Sequence, residues 1–444
     1  MNFELRKILQ IAIPSTIAWI GHIGYNIVDN IMIGRILGSE ALAISGIASA
    51  IYFIFLIFGM GASGIIVALT SEASVKRSSK ALPEAFQNSL VFCLILGFFL
   101  WSCVFFFGDT IILLVNKQPQ LNSHISSYLK ILSFALIPVM IFFCFEKLCE
   151  GVGKTKPAMY TTILCNFNNA FFNYAFLTGS FGFPNLGVKG TAVSSTFNIC
   201  MEVIIIVTLL KFNKHFSKAL NIKKIYVSLK KVREIAKLGL PGGILLFCEA
   251  CAFNVASFMA SKVSVLDVAA HQIILWLVNG FLTPIYGLSV AVTSRVALNV
   301  AEDKNKTAYN IALKSTFYAA TLITIFMCIF YIFGEQIVKL MLKGDASDYI
   351  TLKLVLSVLP ILILIEVFDA SQVMLASALR GYKDTFYPSM FAILSYWGVC
   401  IPAGFIFGII MNMGVYGIWL GLGSGLLVQF ILLFSRLIIK FRKA

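Results

Sequence analysis

Five carboxylates stand where the surrounding chain is apolar: Asp29, Glu202, Glu249, Glu366 and Asp369. An ionisable group inside a bilayer is costly unless paired, protonated or wet, so each marks a candidate site of ion chemistry. In Ile365-Glu366-Val-Phe-Asp369-Ala-Ser-Gln372, Glu366 and Gln372 lie three residues either side of Asp369, on one helical face. Two acids so placed call for a cation or a proton, because like charges at that distance disfavour joint ionisation. The plainer alternative is a hydrogen-bonded seam between helices. Glu249 has no basic neighbour in its own segment, and Glu202 has no visible partner. Asp29 lies in Tyr25-Asn26-Ile-Val-Asp29-Asn30, and further on Asn166, Asn169 and Asn173 share a face at i, i+3 and i+7. Carboxylate and amide oxygens without soft ligands suit a hard cation or a proton relay, although amide clusters also hold helices together. His22 carries the one side chain that ordinarily titrates near neutral pH, which suits a proton carrier or a hydrogen-bonded structural residue.

The elements that must position these residues are membrane helices. Of the 444 residues 59% are hydrophobic and 12% charged, and mean hydropathy is +0.90. A soluble domain is about 45–50% apolar and about 25% charged, so a soluble core could not hide this surface. Apolar runs recur, each long enough to cross a hydrocarbon core of about 30 Å. No barrel alternation is visible, which leaves an all-α integral membrane protein. Twelve spans are expected, near 8–34, 43–69, 86–107, 128–149, 158–179, 190–211, 235–261, 269–292, 308–333, 351–378, 388–410 and 414–438. Arg6-Lys7 precedes an apolar run too long for a signal-peptide core, so the first segment is expected to stay as a span.

The net charge of +15 is topogenic rather than a nucleic-acid footprint. Most Lys and Arg fall on one side: Arg6 and Lys7, Lys76-Arg77-Lys80, Lys147, Lys154 and Lys156, Lys211 to Lys237, Arg295 to Lys314, Arg380 and Lys383, and the C-terminal tail. Arg35, Lys117, Lys189 and Lys339 are among the few on the other. This bias places both termini and the central basic segment (Lys211, Lys214, Lys218, Lys223, Lys224, Lys230, Lys231, Arg233, Lys237) in the cytoplasm, beneath the inner (plasma) membrane. Cys248-x-x-Cys251 has a redox spacing, but within an apolar span it reads as packing. No phosphate loop, nucleophile elbow or zinc pattern is present, so no enzyme activity is expected.

The chain repeats itself. Ile11-Ala-Ile-Pro14 matches Leu238-Gly-Leu-Pro241 at an offset of 227, and Gly187-Val-Lys-Gly190 matches Gly414-Val-Tyr-Gly417 at the same offset. Glu40-Ala-Leu-Ala43 falls on Asp267-Val-Ala-Ala270, and Gly151-Val-Gly-Lys-Thr155 aligns with Gly381-Tyr-Lys-Asp-Thr385. Two six-span repeats of equal orientation follow: an N-terminal lobe at 1–210, a linker at 211–234 and a C-terminal lobe at 235–444. Such parallel repeats are a transporter architecture, with the site expected where they meet. At offset 227, Glu249 falls on His22 and Asp29 on Ala256, so one scaffold carries two unlike sites. Pro14 and Pro241 suggest bendable helices.

These residues resemble the multidrug and toxic compound extrusion (MATE) transporters, in particular the bacterial NorM-like branch. The resemblance runs over essentially the whole chain. It rests on Ile13-Pro14 with Val28-Asp29-Asn-Ile-Met-Ile-Gly34, Glu150-Gly-Val-Gly-Lys-Thr-Lys-Pro157, and Asn169-x-x-x-Asn173-Tyr174. In the second half it rests on Gly239-Leu-Pro241 with Glu249, Ala269-Ala-His-Gln272, and the specific run from Asp369 through Gln372 to Leu379-Arg-Gly-Tyr-Lys-Asp384. It implies two six-helix lobes in a V around a central cavity, and efflux of organic cations by alternating access, coupled to Na⁺ or H⁺. It further implies that Glu249 and Asp369 handle the coupling cation, with Glu366 beside them. Asp29, Asn169, Asn173 and Ser195 would form a proton or substrate site in the N-terminal lobe. His22, Asn166, Glu202, Gln272 and Gln372 are secondary candidates. Ile365 departs from members with a tyrosine there, and Glu366 replaces a neutral residue.

The expectation is thus a monomeric antiporter in a lipid bilayer that needs no cofactor and holds no metal beyond Na⁺ at Glu249 and Asp369. Nucleic acid is not expected as a partner. A flippase or exporter of a lipid-linked sugar or other metabolite on the same architecture is the alternative; it would want a cluster of mid-span basic residues for phosphate, which the sequence does not show. A non-transporting receptor would have no need of buried acids on matched helices.

Overall fold

A computed structural model of the chain describes residues 3–76, 78–116, 118–213, 216, 219–220, 224–342 and 346–443. Arg77, Lys117, Lys214, Lys218 and Lys223, which entered the charge comparison, lie outside the described residues.

The described residues form twelve helices and no strand. They are α1 (Phe3–Leu37), α2 (Ser39–Val75), α3 (Ala81–Val115), α4 (Pro119–Val152), α5 (Lys156–Thr178), α6 (Val188–Lys211), α7 (Leu229–Val263), α8 (Val265–Ala301), α9 (Asn305–Lys339), α10 (Ala346–Gly381), α11 (Phe386–Ile410) and α12 (Gly414–Lys443). Eleven are long and apolar enough to cross a membrane. The exception is α5, the helix that spends four positions on Asn166, Asn168, Asn169 and Asn173. Many helices outrun the expected spans: at 1.5 Å per residue a 35-residue helix reaches about 50 Å, well past the hydrocarbon core. Helical hydrogen bonding need not stop where lipid does. The linker is correspondingly shorter than expected, because α7 already begins at Leu229. Side chains such as Phe106 and Leu114 point outward at 68% and 82% exposure, a surface that only lipid would cover.

Two compact units emerge. One comprises Ile17–Gly243, the other Met1–Thr16 with Ile244–Ala444. This differs from a division at the linker: the start of α1 packs with the second half, and the start of α7 with the first. Small residues explain it. In the Ile17–Gly243 unit, Gly239, Gly242 and Gly243 of α7 lie so close to α2 that a Cβ on each would stand 2.6 Å from Ala62 O, 2.7 Å from Gly61 O and 2.7 Å from Phe58 O. In the other unit, a Cβ on Gly287 of α8 would stand 2.9 Å from Ala12 O of α1, and Arg295 Nη2 holds Glu4 Oε2 at 2.7 Å. Pro14 and Pro241 each lie within their helix, near these contacts.

Within the Ile17–Gly243 unit the end of the linker is fastened to α3. Gln87 and Asn88 accept from the backbone N–H groups of Tyr226 (2.7 Å) and Ser228 (2.8 Å) and donate to the carbonyls of Lys224 and Tyr226, both at 3.0 Å.

Candidate functional site

In the unit containing α8 to α12, the polar stripe of α10 turns inward. Glu366, Asp369 and Gln372 are each 1% exposed. Gln372 Nε2 donates to Asp369 Oδ1 at 2.9 Å, and Gln429 Nε2 of α12 donates to Gln372 Oε1 at 3.1 Å. Glu366 Oε2 has no hydrogen-bond partner among the described residues. Glu249 of α7 lies close enough to Asp369 for the two carboxylates to act on each other's charge, and it stands beside the Tyr396 phenol. Tyr396 is placed by a π-helical stretch of α11, Ile393–Cys400, whose wider turn rotates the side chains relative to a regular helix. Tyr286 of α8 faces all three acids. Among the described residues, no Lys, Arg or His acts on Glu249, Glu366 or Asp369. Two buried acids and a half-buried third, without a cation, leave a site built from carboxylate, amide and phenol oxygens, suited to a proton or a hard monovalent cation.

In the Ile17–Gly243 unit, Asp29 is gripped from two helices. Asn173 Nδ2 of α5 donates to Asp29 Oδ1 and also reaches Asn169 Oδ1 at 3.3 Å. Ser195 Oγ of α6 donates to Asp29 Oδ2 at 3.2 Å. Asn166, although on a similar face, is not part of this cluster. Its amide donates to the Thr162 carbonyl of its own helix at 2.8 Å and lies against Gly24 of α1.

Two readings of the sequence change here. Lys147, counted with the cations that set the orientation, is inside α4 at 5% exposure, and its Nζ lies 3.0 Å from Glu146 Oε2 and 2.9 Å from Glu150 Oε1. Helix α4 runs on to Val152 and stops only where Gly153 takes a left-handed φ of 74°. Glu202 is also partnered: Tyr25 Oη, 177 positions away, donates to its Oε1 at 3.1 Å. His22 Nε2 lies 3.4 Å from Glu146 Oε1. Gln272 is exposed on α8 and donates to Ser257 Oγ at 3.3 Å, apart from the Asp369 cluster.

Sequence reasoning missed Gln429, Tyr286, Tyr396, Glu146 and Glu150. For Gln429 a signal existed: at offset 227 it is the counterpart of Glu202. Glu150 opens the run to Pro157 that carries part of the resemblance, but nothing there points to Lys147 as its partner; Tyr286, Tyr396 and Glu146 carry no pattern that sets them apart from their helices.

Fold and site together define a class: polytopic helical membrane proteins built from two like halves, with ionisable groups held inside each half. The chain belongs to the MatE family, on its NorM-like branch; the family model matches twice, at residues 14–175 and 241–406, and the two matches begin 227 residues apart. It is 26% identical to a probable multidrug resistance protein NorM of Mesorhizobium japonicum, over 98% of this chain and 93% of that protein. It is 28% identical to the multidrug resistance protein NorM of Aliivibrio fischeri, over 98% and 94%. Its fold matches the crystal structure of the eukaryotic MATE transporter AtDTX14 with a TM-score of 0.88 at 17% identity, covering 99% of this chain and 98% of that one. An outward-facing multidrug resistance MATE family transporter of the MOP superfamily matches at 0.86 and 17%, over 99% and 96%.

Proposed function

We propose that the protein is a monomeric secondary antiporter that exports organic cations and related drugs across the cell membrane, driven by Na⁺ or H⁺. The observation that carries this reading is the trio of buried Glu366 and Asp369 with half-buried Glu249, in one unit and with no basic group acting on them among the described residues. Such a site binds a cation or a proton in exchange for the desolvation of its acids, and it therefore responds to an ion gradient. The coupling ion binds there from outside, and the substrate favours the ion-free state. Coupling follows because the two ligands prefer different conformations. Asp29 with Asn169, Asn173 and Ser195 serves as the proton or substrate site of the other unit. The names of the NorM relatives support drugs as the cargo, and the Lys and Arg bias supports cytoplasmic termini.

A phosphate-bearing lipid-linked sugar is the less suited cargo. Lys147 is buried, but Glu146 and Glu150 already neutralise it. The deciding measurement is efflux of a fluorescent organic cation from proteoliposomes under separately imposed Na⁺ and H⁺ gradients. Efflux that follows neither gradient overturns the reading.

A further inference from the structure

The Ile17–Gly243 unit keeps ionisable groups that the Asp29 cluster does not use. His22 and Tyr25 sit one turn apart on α1 with ring centres 6.2 Å apart. Toward α4, His22 Nε2 lies 3.4 Å from Glu146 Oε1, and Lys147 bridges Glu146 to Glu150. Toward α6, Tyr25 Oη donates to Glu202 Oε1 at 3.1 Å, and Glu202 is 2% exposed. The other titratable groups near Glu202 are Tyr52 of α2 and Cys165 of α5.

Three observations converge on this group. The first is charge: a Glu202 carboxylate would be a second buried anion near Glu146, and His22, which lies against Glu146, is the basic group that acts on Glu202. The second is hydrogen bonding. Asn198 Oδ1, an atom that can only accept, is buried without a hydrogen-bond partner among the described residues. Asn198 precedes Glu202 by one turn of α6, and the Thr162 carbonyl accepts from Tyr25 Oη at 3.3 Å. A buried acceptor left without a donor is costly; a protonated Glu202 would supply one. The third is the repeat. At offset 227, His22 and Glu202 are the counterparts of Glu249, which acts on Asp369 directly, and of Gln429, which reaches it through Gln372.

We propose that His22 and Glu202 form a second proton-exchange site, separate from Asp29 and anchored by Tyr25 and the Glu146–Lys147–Glu150 charge cluster. Its ligand is a proton rather than a metal ion, because an ammonium and an imidazole already sit among its acids. Uptake of one H⁺ turns the Glu202 carboxylate into a carboxylic acid whose O–H donates to Asn198 Oδ1. Release restores the carboxylate, held by the Tyr25 O–H. The site stands on the geometry of its own unit and is independent of the coupling role assigned to Glu249 and Asp369.

The test needs no transport. Infrared difference spectra between acidic and alkaline buffer, recorded on the purified full-length protein in detergent, report each carboxyl that changes protonation. Glu202→Gln should remove one protonated-carboxyl signal that Asp29→Asn leaves in place, and Tyr25→Phe should keep that signal but shift its frequency, because a donor to the carboxyl is gone. Identical carboxyl signals in wild type and Glu202→Gln overturn the proposal. Should Glu202→Gln fail to fold, Tyr25→Phe decides: a shifted signal supports the site, and an unshifted set of signals overturns it.

Discussion

Gln429 donates to Gln372 Oε1 at 3.1 Å, and this bond sets which end of the Gln372 amide faces Asp369. With its oxygen engaged by α12, Gln372 can offer Asp369 only its N–H, so Gln429 acts on the acid without touching it. Gln429→Leu frees the amide to turn and leaves Gln372 Oε1 unpaired in a dry interior. A loss of that kind is worth about 1–3 kcal/mol, or about tenfold or more in affinity. The coupling-ion concentration giving half-maximal efflux in proteoliposomes should rise by about that factor while the maximal rate changes less. An unchanged ion requirement would remove Gln429 from the site.

Glu249→Gln and Asp369→Asn each preserve shape and remove a charge. Both should reduce ion-driven efflux to the level of empty liposomes while the protein still purifies as a monodisperse species. Because removing one acid relieves the other of a like charge, neither substitution is expected to lower the melting temperature. Efflux at the wild-type rate in both variants would sink the assignment of these acids.

How much of this was written in the sequence divides by distance along the chain. Eleven of the twelve helices follow from hydropathy and length, with α5 the exception, and the repeat from Pro14 and Pro241 with their matched surroundings. The stripe Glu366, Asp369, Gln372 was legible because helical periodicity alone puts those residues on one face. Contacts between helices were not, since periodicity defines a face but not its neighbour. His22 meets Glu146 across 124 positions and Tyr25 meets Glu202 across 177. Lys147 fell inside the expected span at 128–149 yet was counted with the side-setting cations, because its two acid partners, Glu146 and Glu150, are recognisable as partners only once α4 is seen to run on to Val152. The start of α7 joining α2 rests on backbone proximity at glycines, which composition does not reveal.

Asp29 depends on Asn173 and Ser195 for its hydrogen bonds. Asn173→Ala withdraws the amide that reaches both Asp29 and Asn169, whereas Asn166→Ala removes only a bond to its own helix. A hydrogen bond to a charged group is worth about 1.5–3 kcal/mol, so Asn173→Ala should change drug efflux or its ion dependence roughly tenfold or more. Asn166→Ala should leave both near wild type. The pair of efflux assays separates the Asp29 cluster from the rest of the asparagine face; equal effects of the two substitutions would dissolve that distinction.

Lys147 offers a test of what holds the Ile17–Gly243 unit together. Its ammonium lies between two acids that are 6% and 3% exposed. Lys147→Met keeps most of the side-chain volume but leaves Glu146 and Glu150 buried without their shared cation. Breaking a buried ion pair from one side typically costs about 3–5 kcal/mol, whereas replacing all of its charges by neutral groups of similar size is often close to neutral. Lys147→Met should therefore melt well below wild type in a detergent thermal-shift assay, by more than either Glu146→Gln or Glu150→Gln, each of which leaves the ammonium one acid. The triple variant Glu146→Gln, Lys147→Met, Glu150→Gln should recover most of the lost stability. If Lys147→Met melts with wild type, the cluster contributes no net stability. If the triple variant melts as low as the single one, lost packing rather than stranded charge is the cause.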